Sequence, residues 1–395
     1  MSTGRTPARG ERLEKARGAL LTNFIAPYRV PLFRLLAREF GAFKVFVSTP
    51  MEPNRAWRPD WGDLDVEVLP TLTLNRTARH PHEFSEPLFV HLPYTALLRL
   101  WRFRPDVVIS GQLGLASALA AIYCALRSGA GLVLWLTLSE VSELSRGWIR
   151  RRLRHWLLAR ADAVMVNGES GARYVRSFGT PDAKIVRIYQ TVDVAAFSEA
   201  GDREREAGRR LLFVGSGDPG KGLRPFLSHL ARWAESRPER PVELWVAGTG
   251  AECLGAAPPV LPDNLRVRWI GPVPYEDMPA IYAEAGILAF PTLSDEWGLV
   301  VNEAMAAGVP VLGSRYSQAV EELVEDARTG WTFRPDRADE CLAAIDRALA
   351  TTPEELAFMR SACRERIAAL TFEAVAERML GAIASACAQR EAHRP

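Results

Sequence analysis

Two carboxylates, Asp295 and Glu303, stand with seven residues between them in the stretch P-T-L-S-D-E-W-G-L-V-V-N-E-A-M-A-A-G-V-P-V-L-G-S, Pro291 to Ser314. Carboxylates are strong acceptors for hydroxyl donors. Between the two acids, the backbone N–H groups around Gly298, Leu299 and Val300 open a helix, and a helix N-terminus favours an anion. Acids on both sides of an anion site make little sense for phosphate alone. They suit a ligand that carries phosphate and hydroxyls together, as a sugar nucleotide does. The plainer alternative is that Asp295 and Glu296 only complement the helix dipole while Glu303 lies on a solvated face.

A second candidate is the loop G-S-G-D-P-G-K-G-L, Gly215 to Leu223. Gly215, Gly217 and Gly220 satisfy G-x-G-x-x-G, but no acidic residue closes the following strand as a dinucleotide site requires. The loop also approaches a phosphate-binding G-x-x-x-x-G-K, but Gly222 replaces the hydroxyl residue that would hold magnesium. Both assignments fail. Lys221 remains, the only lysine after residue 184. A compact ammonium in a glycine loop suits phosphate, and an ordinary exposed turn lysine is the alternative.

The elements that must hold these groups follow from the apolar runs. Gly286–Phe290 predicts a buried strand and Thr292–Gly298 a loop at its carboxyl end. Leu299–Ala307 predicts a helix stopped by Gly308, and Pro310–Gly313 the next strand. The same alternation begins at Ala19–Asn23 and continues through a helix at Pro87–Trp101, a strand at Asp106–Ile109, a helix at Trp148–Arg160 and a strand at Ala163–Val166. It pauses over the charged stretch Val194–Arg210 and restarts at Leu211–Val214. Strand–helix alternation implies doubly wound parallel sheets with ligands at the strands' carboxyl ends. The expected organisation is a flexible tail over 1–17, a first α/β domain over 18–195, a linker over 196–210, a second α/β domain over 211–371 and a terminal helical segment over 372–395. Two such halves are expected to face one cleft.

Composition narrows the class. At 395 residues the chain is too long for one ordinary core. A net charge of +2 gives no case for nucleic acid. The five cysteines form no C-x-x-C pair, which argues against a disulfide framework or a zinc site and fits a reducing cytoplasm. Met1–Arg17 has no apolar run and reads as a tail, not a signal peptide. Leu113–Leu138 is broken by Arg127, Ser128, Gly129 and Gly131, so it reads as a helix and a strand and not a membrane span.

The line D-E-W-G-L-V-V-N-E-A-M-A-A-G-V-P-V resembles the acid-x7-acid signature of the retaining GT-B glycosyltransferases of family 4, E-x-F-G-L-x-x-x-E-A-M-A-x-G-x-P-V, with Asp295 in place of the first Glu. Phe213-Val214-Gly215 and Lys221-Gly222 resemble the family's F-V-G-R-L-x-x-x-K-G, in which Arg and Lys bind pyrophosphate. Ser216 stands where that Arg is usual, with Arg224 and Arg315 as substitutes at hand. Thr22–Arg29 is similar to the family's first loop on the acceptor side. Ala161–Val175 and Thr191-Val192-Asp193 are similar to lines near the donor cleft. The family's histidine after the strand equivalent to Asp106–Ile109 is replaced by Ser110, Gly111 and Gln112, so no catalytic histidine is assigned.

The resemblance implies a GT-B fold, two Rossmann-like domains facing a central cleft, with the last helix crossing back to the first domain. It implies donor contacts at Gly215, Ser216, Lys221, Glu296, Trp297, Gly298, Leu299, Val300 and Glu303, and chemistry carried by Asp295, Glu303 and Lys221. Glu303 would take ribose hydroxyls, Asp295 sugar hydroxyls, and Lys221 the departing diphosphate. Asn23, Tyr28, Arg29 and Glu140 fall on the acceptor side. The implied activity is retaining, metal-independent transfer of a hexose from a UDP- or GDP-sugar to a hydroxyl of a lipid-linked or polysaccharide acceptor, with no cofactor besides that donor. Two rivals stand: a sugar-nucleotide epimerase of the same fold, and an inactive scaffold that binds glycan or protein.

One helix remains outside that scheme. Over Arg146–Arg160, Trp148, Ile149, Leu153, Trp156 and Leu157 form one stripe, and Arg150, Arg151, Arg152 and Arg154 crowd the other faces. Such a helix can lie on anionic lipid at the inner face of the membrane, or it can pack its stripe on the sheet with its arginines in water.

Overall fold

The computed structural model describes residues 13–53, 55, 58–80, 84–143, 147–199, 210–255 and 258–392. Most of the expected tail, residues 200–209 of the expected linker, and Arg146 lie outside them. The chain divides into two compact units: Met1–Ala78, Pro87–Tyr189 and Phe372–Pro395 form one, and Arg79–Glu86 with Gln190–Thr371 form the other.

The order in the first stretch is β1 (Arg17–Thr22), α1 (Val30–Arg38), β2 (Ala42–Val47), β3 (Val66–Val68), β4 (Leu72–Arg79), β5 (Ser85–Leu92), α2 (Ala96–Phe103), β6 (Val107–Ser110), α3 (Leu115–Leu126), β7 (Gly131–Leu136), α4 (Trp148–Arg160), β8 (Ala163–Val166), α5 (Glu169–Arg176) and β9 (Ile185–Arg187). A parallel sheet runs β3-β2-β1-β6-β7-β8-β9. Its central strands are mostly apolar because both faces are covered; all of β7, G-L-V-L-W-L, is buried. On one face, Leu100 of α2, Tyr123 of α3 and Leu157 of α4 close over Leu132, Leu134 and Val164.

The helix expected over Pro87–Trp101 is not there. Ser85–Leu92 is strand β5, paired with β4 in a separate two-stranded sheet, and only Ala96–Phe103 is helical. Leu88, Val90 and Leu92 alternate with Phe89 and His91 in a strand period, and Pro93 would break a helix through that point.

The second unit contains α6 (Val194–Ser198), β10 (Arg210–Val214), α7 (Leu223–Glu235), β11 (Val242–Ala247), β12 (Leu265–Gly271), α8 (Met278–Glu284), β13 (Ile287–Phe290), α9 (Leu299–Ala306), β14 (Val311–Ser314), α10 (Gln318–Leu323), β15 (Gly330–Phe333), α11 (Ala338–Ala350) and α12 (Pro353–Ile367). The stretch read as irregular from Val194 therefore opens with a helix, capped by Asp193, whose carboxylate accepts from Ala196 N at 3.1 Å. The sheet order is β12-β11-β10-β13-β14-β15. A core of Phe213, Phe226, Leu230, Leu244, Ile287, Leu312 and Trp331 lies against it. The terminal helix α13 (Phe372–Ala392) belongs to the first unit, where it packs on α1, β7 and β8 and pairs Arg390 with Asp162 at 2.9 Å.

Each sheet reverses its strand order once, between β1 and β6 in the first unit and between β10 and β13 in the second. In open α/β sheets the ligand crevice lies outside the carboxyl ends of the strands at such a reversal.

Candidate active site

β10 and β13 are neighbours, with Leu211 opposite Ile287, so the loops leaving them lie side by side. The carbonyl of Gly220 accepts from Leu293 N at 2.8 Å and Thr292 Oγ1 at 3.1 Å, which stitches the glycine loop to the acid loop. Gly222 follows with φ +70°, and a Cβ there would fall 2.1 Å from the carbonyl oxygen of Pro291. Only glycine permits that approach.

The consequence is a contact that spacing does not reveal. Lys221 Nζ lies 2.6 Å from Asp295 Oδ2, and the two side chains are 33% and 16% exposed. The expected phosphate cation and the expected sugar-binding acid are partners. The other oxygen of Asp295 accepts from Trp297 N at 3.1 Å, and the Asp295 amide donates to Tyr316 O at 3.2 Å. Gly298, at φ +102°, then starts α9. The first-turn amides of Leu299 and Val300 have no acceptor one turn back, as in any helix.

Other expected donor contacts are less direct. Glu296 is exposed, and its carbonyl accepts from Gln318 Nε2 at 2.6 Å. Trp297 is buried, with its indole N–H on Asn302 Oδ1 at 2.8 Å. The Gly215 amide is used by Ala247 O at 3.0 Å, and Ser216 donates to Asp218 Oδ2 at 2.5 Å. Of the substitutes for the missing arginine, Arg315 donates to Thr332 on β15 at 3.1 Å. Arg224 reaches toward Gly255, its Nη1 3.9 Å from where a Cβ on that glycine would stand.

Glu303 does not lie on a solvated face. It is 7% exposed, and among the described residues no cation pairs with it. Its Oε2 accepts from Tyr282 Oη of α8 at 2.8 Å. Burial pushes its carboxyl up to about 7, and the tyrosine hydrogen bond pulls it back only in part. Beside it, Asn302 holds Trp297 through Oδ1 and donates through Nδ2 to Gln190 O at 2.9 Å. Tyr282 and Asn302 therefore fix the two ends of the acid pair, and neither was singled out by sequence. Met278 and Tyr282, one helical turn apart on a short amphipathic stretch, were the available signal.

In the first unit the loop after β1 gathers Asn23, Tyr28 and Arg29. The Arg29 guanidinium lies 4.9 Å from the Trp135 ring centroid and 5.9 Å from that of Tyr28. The Asn23 side-chain oxygen is buried without a hydrogen-bond partner among the described residues. Ser110, where a histidine is usual, is buried and bonded to Ser117 at 2.8 Å. Glu140 lies in the loop after β7, where its amide donates to Ser170 Oγ at 3.1 Å. It pairs with Arg173 of α5 at 2.8 Å. The acids Asp63 and Asp65, spaced as D-x-D, are engaged by Arg34 at 2.7 Å and Lys44 at 3.2 Å.

Helix α4 divides the expected stripe between its two faces. Trp148 and Ile149 are 70% and 68% exposed, while Arg154 is buried. Arg154 faces inward because it pairs with Glu143 and donates to Tyr174. The inward face is Arg154, Leu157 and Leu158. Among the described residues no helix is long and apolar enough to cross a membrane.

Two doubly wound units, one with a lysine–acid pair and a helix N-terminus at its strand reversal, define a GT-B glycosyltransferase architecture. Solved structures agree on the fold. Anabaena Alr3699/HepE in complex with UDP matches with TM-score 0.65 at 17% identity, over 92% of this chain and 98% of that one. Sucrose-phosphate synthase from Thermosynechococcus elongatus matches with TM-score 0.64 at 18% identity, over 92% and 97%. Residues 25–191 match the glycosyl transferase 4-like domain, and residues 208–351 match glycosyl transferases group 1. The chain belongs to the group 1, or family 4, glycosyltransferases.

Among curated proteins it is similar to D-inositol 3-phosphate glycosyltransferase of Corynebacterium efficiens, 30% identical over 42% of this chain. That match spans 43% of the relative's own length, less than half. The Corynebacterium diphtheriae protein of the same name is 28% identical over 77% of this chain and 76% of its own. A glycogen synthase of Mycobacterium tuberculosis is 26% identical over 76% and 77%.

Proposed function

We propose that this protein transfers a hexosyl group, with retention and without a metal, from a nucleoside diphosphate sugar (UDP- or GDP-linked) to a hydroxyl of a lipid-linked or polysaccharide acceptor. The observation that carries this is the convergence of Lys221, Asp295, the first turn of α9 and buried Glu303 at one strand reversal. The diphosphate would replace Asp295 as the partner of Lys221 and lie on the amides of Leu299 and Val300. Asp295, released, would turn to the sugar hydroxyls, and Glu303 would accept from the ribose. Negative charge grows on the leaving diphosphate as the glycosidic C–O bond breaks, so a cation and dipoles already aimed there lower the barrier. The family match supports the transfer class. Retention and metal independence come from the motif resemblance.

The test is a thermal-shift screen with UDP, GDP and ADP, followed by donor turnover with labelled sugar. A shift with one base and label in an acceptor supports the reading. Label confined to a free sugar nucleotide identifies an epimerase, and no shift with any nucleotide leaves a scaffold. Exposed Trp148 and Ile149 beside Arg150, Arg151 and Arg152 support peripheral contact with anionic lipid, at the cytoplasmic face of the membrane. Co-sedimentation with phosphatidylglycerol vesicles that persists unchanged in Trp148→Ala/Ile149→Ala would remove that contact.

A further inference from the structure

Glu303 and Tyr282 form a buried pair that can exist in two hydrogen-bonded states. Tyr282 is fully buried, held edge-on to Phe197 at 5.7 Å between ring centroids. Its hydroxyl has one proton and two acceptors in reach, Glu303 Oε2 at 2.8 Å and the Val300 carbonyl at 3.4 Å. When Glu303 is ionised, the tyrosine donates to it. When Glu303 is protonated, its own O–H can donate to Tyr282 Oη, and the tyrosine proton turns to Val300 O. The two states differ by one proton and leave both groups hydrogen-bonded.

We propose that Tyr282 is a positioning residue for Glu303, and that binding of the donor's ribose converts this pair from its proton-sharing state to the ionised one, expelling a proton to solvent. The inference rests on the donor reading above. Among the described residues the Glu303 carboxylate has one hydroxyl donor and no paired cation. Burying a charge with so few partners is costly, so the acid holds its proton. Ribose brings further hydroxyl donors that the charged form accepts more strongly than the neutral one. The O–H bond of the Glu303 acid breaks, its electron pair stays on the carboxylate, and the proton leaves to the buffer.

The surrounding groups favour this direction. Facing Glu303 are Tyr282 from α8 and Tyr275 from the turn before it, and Asp193 at the cap of α6 acts on Tyr275. Burial together with Glu303 and Asp193 raises Tyr275. Burial and Glu303 raise Tyr282 well above the ordinary tyrosine range. Both tyrosines therefore stay neutral, and the acid is the member that titrates, at about 7.

Isothermal titration with UDP-glucose in buffers of low and high ionisation heat reads the proton directly. A phosphomonoester titrates near about 6; the diphosphate diester of UDP-glucose does not, so a released proton comes from the protein. Release should be about half a proton per site at pH 7, near one at pH 6 and near zero at pH 8.5, with affinity about tenfold weaker at pH 6 than at pH 8. Tyr282→Phe removes the donor that favours the carboxylate, so the release curve should move to higher pH. A tyrosine that served packing alone would lower stability and leave the curve in place. Glu303→Gln should bind weakly and release nothing, and it keeps the test intact should Tyr282→Phe not fold. Binding without proton release overturns the inference and leaves the donor reading standing. No binding of UDP-glucose overturns the UDP reading itself.

Discussion

Asp295→Asn should strengthen nucleotide binding while weakening catalysis. The substitution keeps the side chain's shape and retains an oxygen for the Trp297 amide, now 3.1 Å away, so the loop should hold. What it removes is the charge that occupies Lys221 at 2.6 Å. A charge-assisted hydrogen bond contributes about 1.5–3 kcal/mol. Solvent access at Lys221 reduces that to about 1–2 kcal/mol. A nucleoside diphosphate must displace this partner in the wild-type protein but not in Asp295→Asn, so its Kd should fall about five- to thirtyfold. Turnover should fall about ten- to hundredfold, because the sugar loses a charged acceptor. Calorimetry with UDP or GDP, paired with initial rates, separates the two effects. Nucleotide affinity that is unchanged or weaker in Asp295→Asn would refute the displacement of Asp295 from Lys221.

Four further substitutions probe the same site. Lys221→Ala should lower turnover a hundredfold or more, on the order of 3 kcal/mol, with a smaller change in the donor's KM, the pattern of a contact made as charge develops. Ser216→Arg should restore part of that loss, and a fully active Lys221→Ala would move the phosphate site elsewhere. Gly222→Ala should destabilise the fold by about 2–4 kcal/mol in urea denaturation, from left-handed strain plus the clash with the Pro291 carbonyl; a wild-type midpoint would contradict it. Glu303 titrates at about 7 folded against 4.5 as its ordinary value, so its contribution to stability is complete below 4.5 and lost as pH rises through 7. Glu303→Gln removes that loss and should be about 3 kcal/mol more stable than wild type at pH 8 but equal at pH 4; parallel melting curves across that window would count against the buried charge.

The sequence alone determined the local units. Strand β8, helix α4, strand β11 and helix α11 fall where apolar runs are bounded by turn residues, because backbone hydrogen bonding and period are set within a few residues of each position. The acid–glycine–helix line from Asp295 to Glu303 was legible for the same reason. Two further local signals stand in the sequence. Thr352 and Glu355 form the capping box of α12, and residues 88–92 carry a strand period inside the expected helix Pro87–Trp101.

Only the tertiary structure decided which of these units touch. The pairing of Lys221 with Asp295 spans 74 residues, and that of Tyr282 with Glu303 spans 21. Asn302 reaches back 112 residues to Gln190. These contacts depend on β13 sitting beside β10 and not beyond β12, and strand order follows from how helices cover both faces of the sheet. The inward turn of Arg154 and the burial of Glu303 have the same origin. A spacing of acids in the chain sets how far apart they can stand on a helix, but the protein packed around them sets whether they are solvated, paired or protonated.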